Sequence, residues 1–210
     1  MAKKTGKVAR YKIQRRVGTE LPGLGKPGAL ERRPYPPGEN GNKRRKYSDF
    51  ALRLEEKQKI RTHYGLREKQ LRRFIRDAKR GNSSNWVNKL VGLLERRLDN
   101  VIFRLGFAPS IRSARQLVSH GHIRIDGLKV DVGSYVVPQG AKISLSEKGQ
   151  TNQVVLQAAK SPRLEIADFL RKDTENGVEV GVIHAIPGTE HVPFQFDSGL
   201  FTEYYAARKA

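Results

Sequence analysis

The chain has 210 residues, enough for one or two domains with a buried core, and a net charge of +20 from 41 Lys and Arg against 21 Asp and Glu. This excess of one sign predicts a polyanionic partner, either a nucleic acid or an anionic membrane surface. The absence of cysteine excludes disulfides and cysteine-ligated zinc, and no apolar run approaches the roughly 18 residues of a membrane span.

The positive charge is concentrated at the start of the chain. Residues 1–80 hold 25 of the basic and 8 of the acidic residues, a net charge of +17, and the rest of the chain adds only +3. The opening MAKKTGKVARYK lacks the apolar stretch of a signal peptide, so we expect a soluble, cytoplasmic protein. Residues 1–47 are also rich in proline and glycine, which indicates a basic arm that is disordered alone and becomes ordered on a nucleic-acid backbone.

Two amphipathic helices are predicted after this arm. Ser48 is a suitable N-cap for the first, which continues to a break at Gly65. The second is LREKQLRRFIRDAKRG, in which an apolar stripe recurs at helical spacing from Leu71 to Ala78 and basic residues occupy much of the remaining surface. A basic face of this kind is usually only solvated, but the overall charge excess favours contact with phosphates.

Two further helices are predicted between residues 86 and 120. The apolar spacing in WVNKLVGLLERRLDNVIFRLG indicates one continuous helix, ended by Gly106 and Pro109. Ser110 can then cap a short helix, IRSARQLVSH, which has its own buried stripe. Its other faces carry hydrogen-bond donors, namely Arg112, Ser113, Arg115, Gln116 and Ser119.

A β-hairpin is predicted directly after this short helix. Gly121 suits the left-handed position that follows a helix, and HIRIDGLKVDV alternates apolar and polar residues around a two-residue turn at Asp126 and Gly127. Val132 should therefore continue the apolar pattern of the returning strand. The stretch SYVVPQGAKISL adds a turn at residues 138–140 and one more strand.

Several side chains allow more than one interpretation. His120 and His122 are two residues apart, a weak metal signal without a third ligand nearby in sequence. The favoured interpretation is a turn residue and a first strand residue, and the alternative is imidazole donors to RNA. Tyr47 within KRRKYSD could stack on a base or sugar, or could pack as an apolar staple before the cap. No nucleotide-binding, metalloprotease or nucleophile-elbow motif is present in the sequence.

Residues 93–145 together resemble the alpha-L RNA-binding domain. The resemblance rests on two amphipathic helices followed by H-x-x-I-x-I-D-G and V-x-x-G-x-x-I. Upstream, RRKYSDFALRLEEKQKIRTHYGLREKQLRRF is similar to the helical domain of bacterial small-subunit ribosomal protein S-four (uS-four), and SGLFTEYYA is similar to that family's C-terminal helix. The resemblance is strong over residues 43–145 and weaker over 1–42 and 146–195.

The resemblance implies an α+β fold with three parts. It predicts a basic arm over residues 1–47 that orders on RNA, a helical rRNA-binding domain from 48–92 and 186–210, and an inserted alpha-L module over 93–185 of two helices and a small antiparallel sheet. Residues 146–185 are expected to supply a sheet edge and a connection. Many family members hold the arm with a cysteine-bound zinc, so this cysteine-free arm must fold without one.

The resemblance also implies a function. Members of the family are structural constituents of the 30S subunit that bind 16S rRNA early and nucleate assembly of the subunit body. They contact ribosomal protein S-five and other small-subunit proteins, at an interface linked to decoding accuracy. We accordingly expect a cytoplasmic, ribosome-bound protein with no catalytic site, metal, cofactor, membrane partner or small-molecule substrate.

The expected rRNA contacts follow the basic helices and the hairpin. A-form RNA has a major groove too narrow for side chains, so recognition should depend on phosphates, 2′-hydroxyls and junction shape. The candidate residues are Arg44, Arg45, Lys46, Tyr47, Arg53, Lys57, Lys59, Arg61, Arg67, Lys69, Arg72, Arg73, Arg112, Ser113, Arg115, Gln116, His120, His122 and Arg124.

Two competing classes of function remain to be weighed. Pseudouridine synthases also carry an alpha-L domain and use an Arg-Leu-Asp stretch with a catalytic Asp, which RRLD at 96–99 resembles. Here Asp99 lies inside the module's first helix, where it is expected to pair with a neighbouring Arg or to cap RNA-facing charge, and too few residues follow for that catalytic domain. The other alternative is a protein that binds an acidic partner or a membrane surface, whose basic amphipathic signature is only partly present.

Overall fold

The computed structural model forms two compact units, each described by itself below. The first unit contains residues 10–63 and 193–206, and the second contains residues 64–192. The structure describes residues 10–25, 28–43, 46–81, 85–175 and 177–206.

Helices and antiparallel strands share the described chain, which confirms the α+β prediction. The helices are α1 (Arg10–Val17), α2 (Ala29–Arg32), α3 (Asp49–His63), α4 (Glu68–Lys79), α5 (Trp86–Glu95), α6 (Leu98–Arg104), α7 (Ile111–Ser119), α8 (Glu147–Gln150), α9 (Gln153–Lys160) and α10 (Ser198–Ala206). The strands are β1 (Ile123–Ile125), β2 (Leu128–Lys129), β3 (Lys142–Leu145), β4 (Leu170–Glu175) and β5 (Val178–Ile183), and a 3-10 turn spans Thr189–His191.

The first unit is built on the packing of α3 against α10. Phe201 and Tyr205 of α10 are buried with their ring centroids 5.2 Å apart, and Ile60 of α3 is buried with them. The part of the arm from α1 onward forms its own cluster. In that cluster Val17, Leu21 and Leu24 are buried, with Ile13 and Phe194 packed against them.

The second unit packs α4 on α5 and α6 on α7. The predicted continuous helix over residues 86–106 is wrong, because the chain breaks at Arg96 and Arg97 between α5 and α6. Residues 133–137 lie against this break and form hydrogen bonds with its backbone N–H and C=O groups. The Leu98 N–H donates to the Tyr135 carbonyl (2.8 Å), and Arg97 forms an isolated antiparallel β-bridge with Val136. Hydrogen bonds from a distant segment thus replace those of a continuous helix.

One antiparallel sheet, in the order β2-β1-β3-β5-β4, completes the second unit. Residues 146–185 were expected to supply only an edge and a connection. They contain α8 and α9 as well as β4 and β5, and β5 is an inner strand that pairs with both β3 and β4. The returning strand of the hairpin is also shorter than predicted, since β2 ends at Lys129 and Val132 is exposed.

The compact units divide the chain differently from the predicted domains. The sequence assigns residues 64–92 and 186–192 to the helical domain, whereas both segments lie in the second unit. The apolar stripe of α4 is buried in that unit by packing on α5. Near the other boundary, the Thr189 N–H donates to Asn88 Oδ1 of α5 over 2.8 Å.

Candidate nucleic-acid interface

Helix α4 separates an apolar face from a cationic one. Its buried residues are Leu71, Ile75 and Ala78, at the spacing that the sequence predicts. The exposed basic residues are Arg67 at the N-cap, Arg72 beside the stripe, and Lys69, Arg73 and Arg76 opposite it. Arg72 lies 3.7 Å from Glu68, whereas Lys69, Arg73 and Arg76 form no ion pair within the described chain. Most of this charge is therefore available to an external anion.

Helix α7 repeats the same division on a smaller scale. The Ser110 hydroxyl accepts from the Ser113 N–H over 3.1 Å, which confirms the predicted cap. Arg112 and Gln116 are exposed on the face opposite the buried stripe, and Ser113 is half-buried. Arg112 forms no hydrogen bond or ion pair with the described residues, so its guanidinium is free to bind phosphate.

Arg115 behaves differently from Arg112, although both were expected to face outward. Its guanidinium donates to Asp99 Oδ2 through Nε (3.0 Å) and a terminal nitrogen (2.6 Å) and reaches the Tyr64 and Gly65 carbonyls. Arg97 holds the same carboxylate through both Asp99 oxygens, at 3.1 and 2.9 Å. The predicted pairing of Asp99 with a neighbouring Arg is thus confirmed. Because the Asp99 side chain is 1% exposed and saturated by two cations, it is unsuited to catalysis.

The hairpin presents further donors beyond α7. The tight turn is confirmed by positive φ angles at Asp126 (49°) and Gly127 (83°). Arg124 is exposed on β1, while Ile123 and Ile125 are buried. The rings of His120 and His122 lie 6.2 Å apart at the end of α7. Within the described residues, no group of three or more His, Cys, Asp or Glu side chains is arranged to hold a metal ion.

In the first unit, several predicted contacts face inward. Lys57 and Lys59 are buried rather than presented to solvent. Lys59 pairs with Glu56 and donates to the Gln195 carbonyl (3.2 Å), and Lys57 lies 5.6 Å from the centroid of the Tyr204 ring. These two lysines are therefore unavailable to phosphates in this conformation, because the packing of α10 on α3 covers them.

The remaining candidates of the first unit are more accessible. Lys46 and Tyr47 are exposed, so Tyr47 is not an apolar staple of the core. Arg53 is held by Glu203 at 2.7 Å, and Arg61 donates to Gln58 within α3. Arg44 and Arg45 lie outside the described residues.

A buried polar network supports the interior of the second unit. Glu95 accepts from the Tyr64 hydroxyl and from the Asn100 amide (2.9 Å), and Arg104 lies 3.4 Å away. Burial raises the pKa of the Glu95 carboxyl above its ordinary value of 4.5, although Arg104 opposes the shift. Burial, reinforced by Glu95, also raises the pKa of Tyr64.

Sequence reasoning missed one cation that belongs with the hairpin donors. Lys129 is exposed on β2 and pairs directly with Arg124 of β1 in the strand register. The signal was available, because a two-residue turn at Asp126 and Gly127 places residue 129 opposite residue 124.

The described part of the chain contains no helix long and apolar enough to cross a membrane.

The capped helix, the tight hairpin and the exposed cationic faces define a protein of the S4-domain class. A family model described as "S4 domain" matches residues 96–143, and one described as "Ribosomal protein S4/S9 N-terminal domain" matches residues 6–95.

Full-length relatives narrow this class to one family. The chain is 56% identical over 203 residues to "Small ribosomal subunit protein uS4B" of Bdellovibrio bacteriovorus, covering 97% of this chain and 98% of the relative. It is 45% identical to "Small ribosomal subunit protein uS4" of Methylobacillus flagellatus (95% and 96% covered) and 42% identical to that of Geobacillus sp. (98% and 100% covered). The chain belongs to the family of small ribosomal subunit protein uS4. As a member of this family it is a ribosomal protein of the cytoplasm and not an enzyme.

Proposed function

We propose that this protein is a structural constituent of the small ribosomal subunit that binds 16S rRNA through the cationic faces of its second unit. The observation that supports this most directly is the exposed side of α4, where Lys69, Arg73 and Arg76 form no ion pair with the described chain. Each phosphate that these cations neutralise releases condensed counterions, which makes binding favourable without base-specific contacts.

The donors of α7 and the hairpin extend this surface within the second unit. Arg112 and Arg124 are exposed and form no ion pair with the described residues, and Gln116 offers an amide one helical turn after Arg112. Arg115 contacts the RNA through the 41% of its side chain that is exposed, while Asp99 fixes the orientation of its guanidinium. A planar guanidinium held in place loses less entropy when it meets a phosphate oxygen.

The finer parts of the proposal follow the family. We infer that this protein is a primary binder of 16S rRNA that nucleates assembly of the subunit body, that its basic arm contacts RNA, and that a contact with ribosomal protein S-five supports translational accuracy. The charge of +17 over residues 1–80 favours early binding, because electrostatic attraction accelerates encounter with RNA.

The test compares two triple variants of equal charge in full-length protein. Lys69, Arg73 and Arg76 are replaced with Gln in one variant, and the exposed Lys148, Lys160 and Arg163 of the same unit are replaced in the other. Affinity for a 16S rRNA transcript is measured by filter binding with competitor tRNA. We expect the α4 variant to lose at least roughly tenfold in affinity, while the control stays within about twofold.

Equal losses in both variants would mean that binding follows net charge alone and would overturn the assignment to α4. Stronger retention of the wild-type protein on anionic liposomes than on the transcript would favour the alternative of a membrane-surface protein.

A further inference from the structure

The register of the hairpin brings two cations together. Arg124 of β1 pairs directly with Lys129 of β2, and on its other side Arg124 pairs with Ser144 of β3. Residues directly opposite in an antiparallel pair project to the same face, so the three side chains form a row across three strands. Arg124 and Lys129 are exposed, and neither forms an ion pair with the described residues.

The Lys129 side chain lies against the backbone of Gly121 at one end of this row. A Cβ on Gly121 would lie 2.3 Å from Lys129 Cε and 2.8 Å from its Nζ, so the lysine stem lies directly over the glycine. Gly121 also has a φ of +75°, a conformation that L side chains rarely adopt. The absence of a side chain at residue 121 therefore both permits the chain reversal and makes room for the lysine.

No described carboxylate forms an ion pair with Arg124 or Lys129, although the exposed Asp131 lies two residues after Lys129 in sequence. His120 and His122 flank Gly121 in sequence. The nearest acidic residue in sequence to Arg124 is Asp126, and its carboxylate accepts from the backbone N–H of Lys142 (2.9 Å). Like charges directly opposite on neighbouring strands repel each other, so the free protein maintains this pair at a cost. An anion between them would remove that cost.

We propose that Arg124 and Lys129 form a seat for one backbone phosphate of RNA, with the Ser144 hydroxyl as a further donor. The proposal rests on the proposed function and specifies one contact of the same surface. The planar fork of Arg124 binds the two non-bridging oxygens of the phosphodiester, and the Lys129 ammonium supplies a point charge to one of the same two oxygens. Because the contact is to the backbone, it carries no base preference of its own.

A structural role for Lys129 makes a different prediction. Its ammonium lies near the C-terminal end of α7, where a cation stabilises a helix through the helix dipole. In that case loss of the charge should lower the melting temperature and leave RNA binding unchanged. For a phosphate seat, loss of the charge should weaken RNA binding and leave the melting temperature equal or higher, because the repulsion from Arg124 is removed.

The test uses Lys129→Met, Arg124→Met and the double variant in full-length protein. Methionine keeps an apolar stem over Gly121, so the fold of the hairpin is preserved. The matched control is Lys142→Met on the neighbouring strand, since that ammonium is already held by Glu175 at 2.7 and 2.9 Å. Affinity for a 16S rRNA transcript is measured across a salt series, and melting temperatures are measured without RNA.

We expect each single variant to lose roughly five- to tenfold in affinity and the control less than about twofold. The double variant should lower the salt slope by about one, because it loses one phosphate contact, and each single variant should lower it by no more than that, because the remaining cation still contacts the same phosphate. A slope change of about two in the double variant would indicate two separate phosphates and would overturn the shared seat. Unchanged affinity in both single variants would also overturn it. If the α4 triple variant still binds weakly in that case, the proposed function stands and only the seat is rejected.

Discussion

At the residue scale, Arg112 and Arg115 show how identical side chains on one helix face acquire different roles. Arg112 is exposed and forms no hydrogen bond or ion pair with the described residues, whereas Arg115 forms an ion pair with the buried Asp99 carboxylate. Asp99 brings together Arg97 and Arg115 from different elements. Removing one partner of a buried ion pair is costly, because the charge that remains is buried and no longer neutralised.

Replacement of these two arginines with alanine should therefore affect different properties: RNA affinity for Arg112 and folding stability for Arg115. Arg112→Ala should reduce affinity for 16S rRNA by roughly tenfold, about 1.4 kcal/mol, and leave the free energy of unfolding unchanged. Arg115→Ala should lower the free energy of unfolding by about 2 kcal/mol, because Asp99 keeps only Arg97. Urea unfolding and filter binding of both variants would check this. Equal stability of the two variants would contradict the structural role of Arg115.

The buried Glu95 predicts a dependence of stability on pH. Burial raises its pKa above 4.5, so the folded protein holds the carboxyl proton to higher pH than the unfolded chain does. Stability should then fall as pH rises above about 4.5 and level off above the folded pKa. Relative to Glu95→Gln, the wild type should lose at most about 1.4 kcal/mol per pH unit in that window.

Urea unfolding at several pH values from about 4.5 to about 7 would measure this difference. Tyr64→Phe is the control, because it removes the hydroxyl that donates to Glu95 but keeps the carboxyl, and it should retain the pH dependence. If stability depends on pH in the same way for the wild type and Glu95→Gln, the Glu95 carboxyl has the same pKa in the folded and the unfolded protein, which would contradict the prediction.

At the scale of elements, α7 and the hairpin behave as one locally encoded unit. The Ser110 cap, the left-handed Gly121 and the turn at Asp126 and Gly127 all follow from short-range chemistry, and all are present in the structure. The break between α5 and α6 was not predictable in this way. Its cause is a segment some 35 to 40 residues further along the chain, whose carbonyls accept from α6.

A pair of glycine variants separates backbone strain from crowding at these turns. Gly121→Ala and Gly127→Ala both force alanine to adopt a positive φ, which costs about 1–2 kcal/mol. Only Gly121→Ala also places a Cβ against Lys129, whereas nothing lies within 4 Å at Gly127. Because the Lys129 atoms that this Cβ would meet are the far end of a flexible, exposed side chain, they can move away, and we expect both variants to lower the free energy of unfolding by similar amounts. A clearly larger loss in Gly121→Ala would show that Lys129 is held over Gly121.

At the scale of the whole molecule, charge dominates the expected behaviour. The net charge of +20 is only partly neutralised internally, and the second unit exposes at least six cations without a carboxylate partner in the described chain. These are Arg67, Lys69, Arg73, Arg76, Arg112 and Arg124. Their contacts to phosphates should make RNA binding strongly dependent on salt.

Affinity for 16S rRNA should fall by roughly a thousandfold or more between about 50 and 200 mM salt, if six or more phosphates are contacted. Filter binding over a salt series gives the number of contacts from the slope of the logarithms. A fall of less than about tenfold would mean that few of the exposed cations reach the RNA, and would contradict the electrostatic account.

Features that depend on neighbouring residues and on composition could be predicted before the fold was known. These are the amphipathic α4, the capped α7, the tight hairpin, the α+β class and the charge excess. They were predictable because helical periodicity, capping and turn geometry act over a few residues.

Which cations are available to RNA could not be predicted before the fold was known. The burial of Lys57 and Lys59, the capture of Arg115 by Asp99, the break before α6 and the inner position of β5 all result from contacts between distant segments. Local pattern cannot show which side chains such contacts cover, because burial depends on what packs against an element as well as on the element's own sequence.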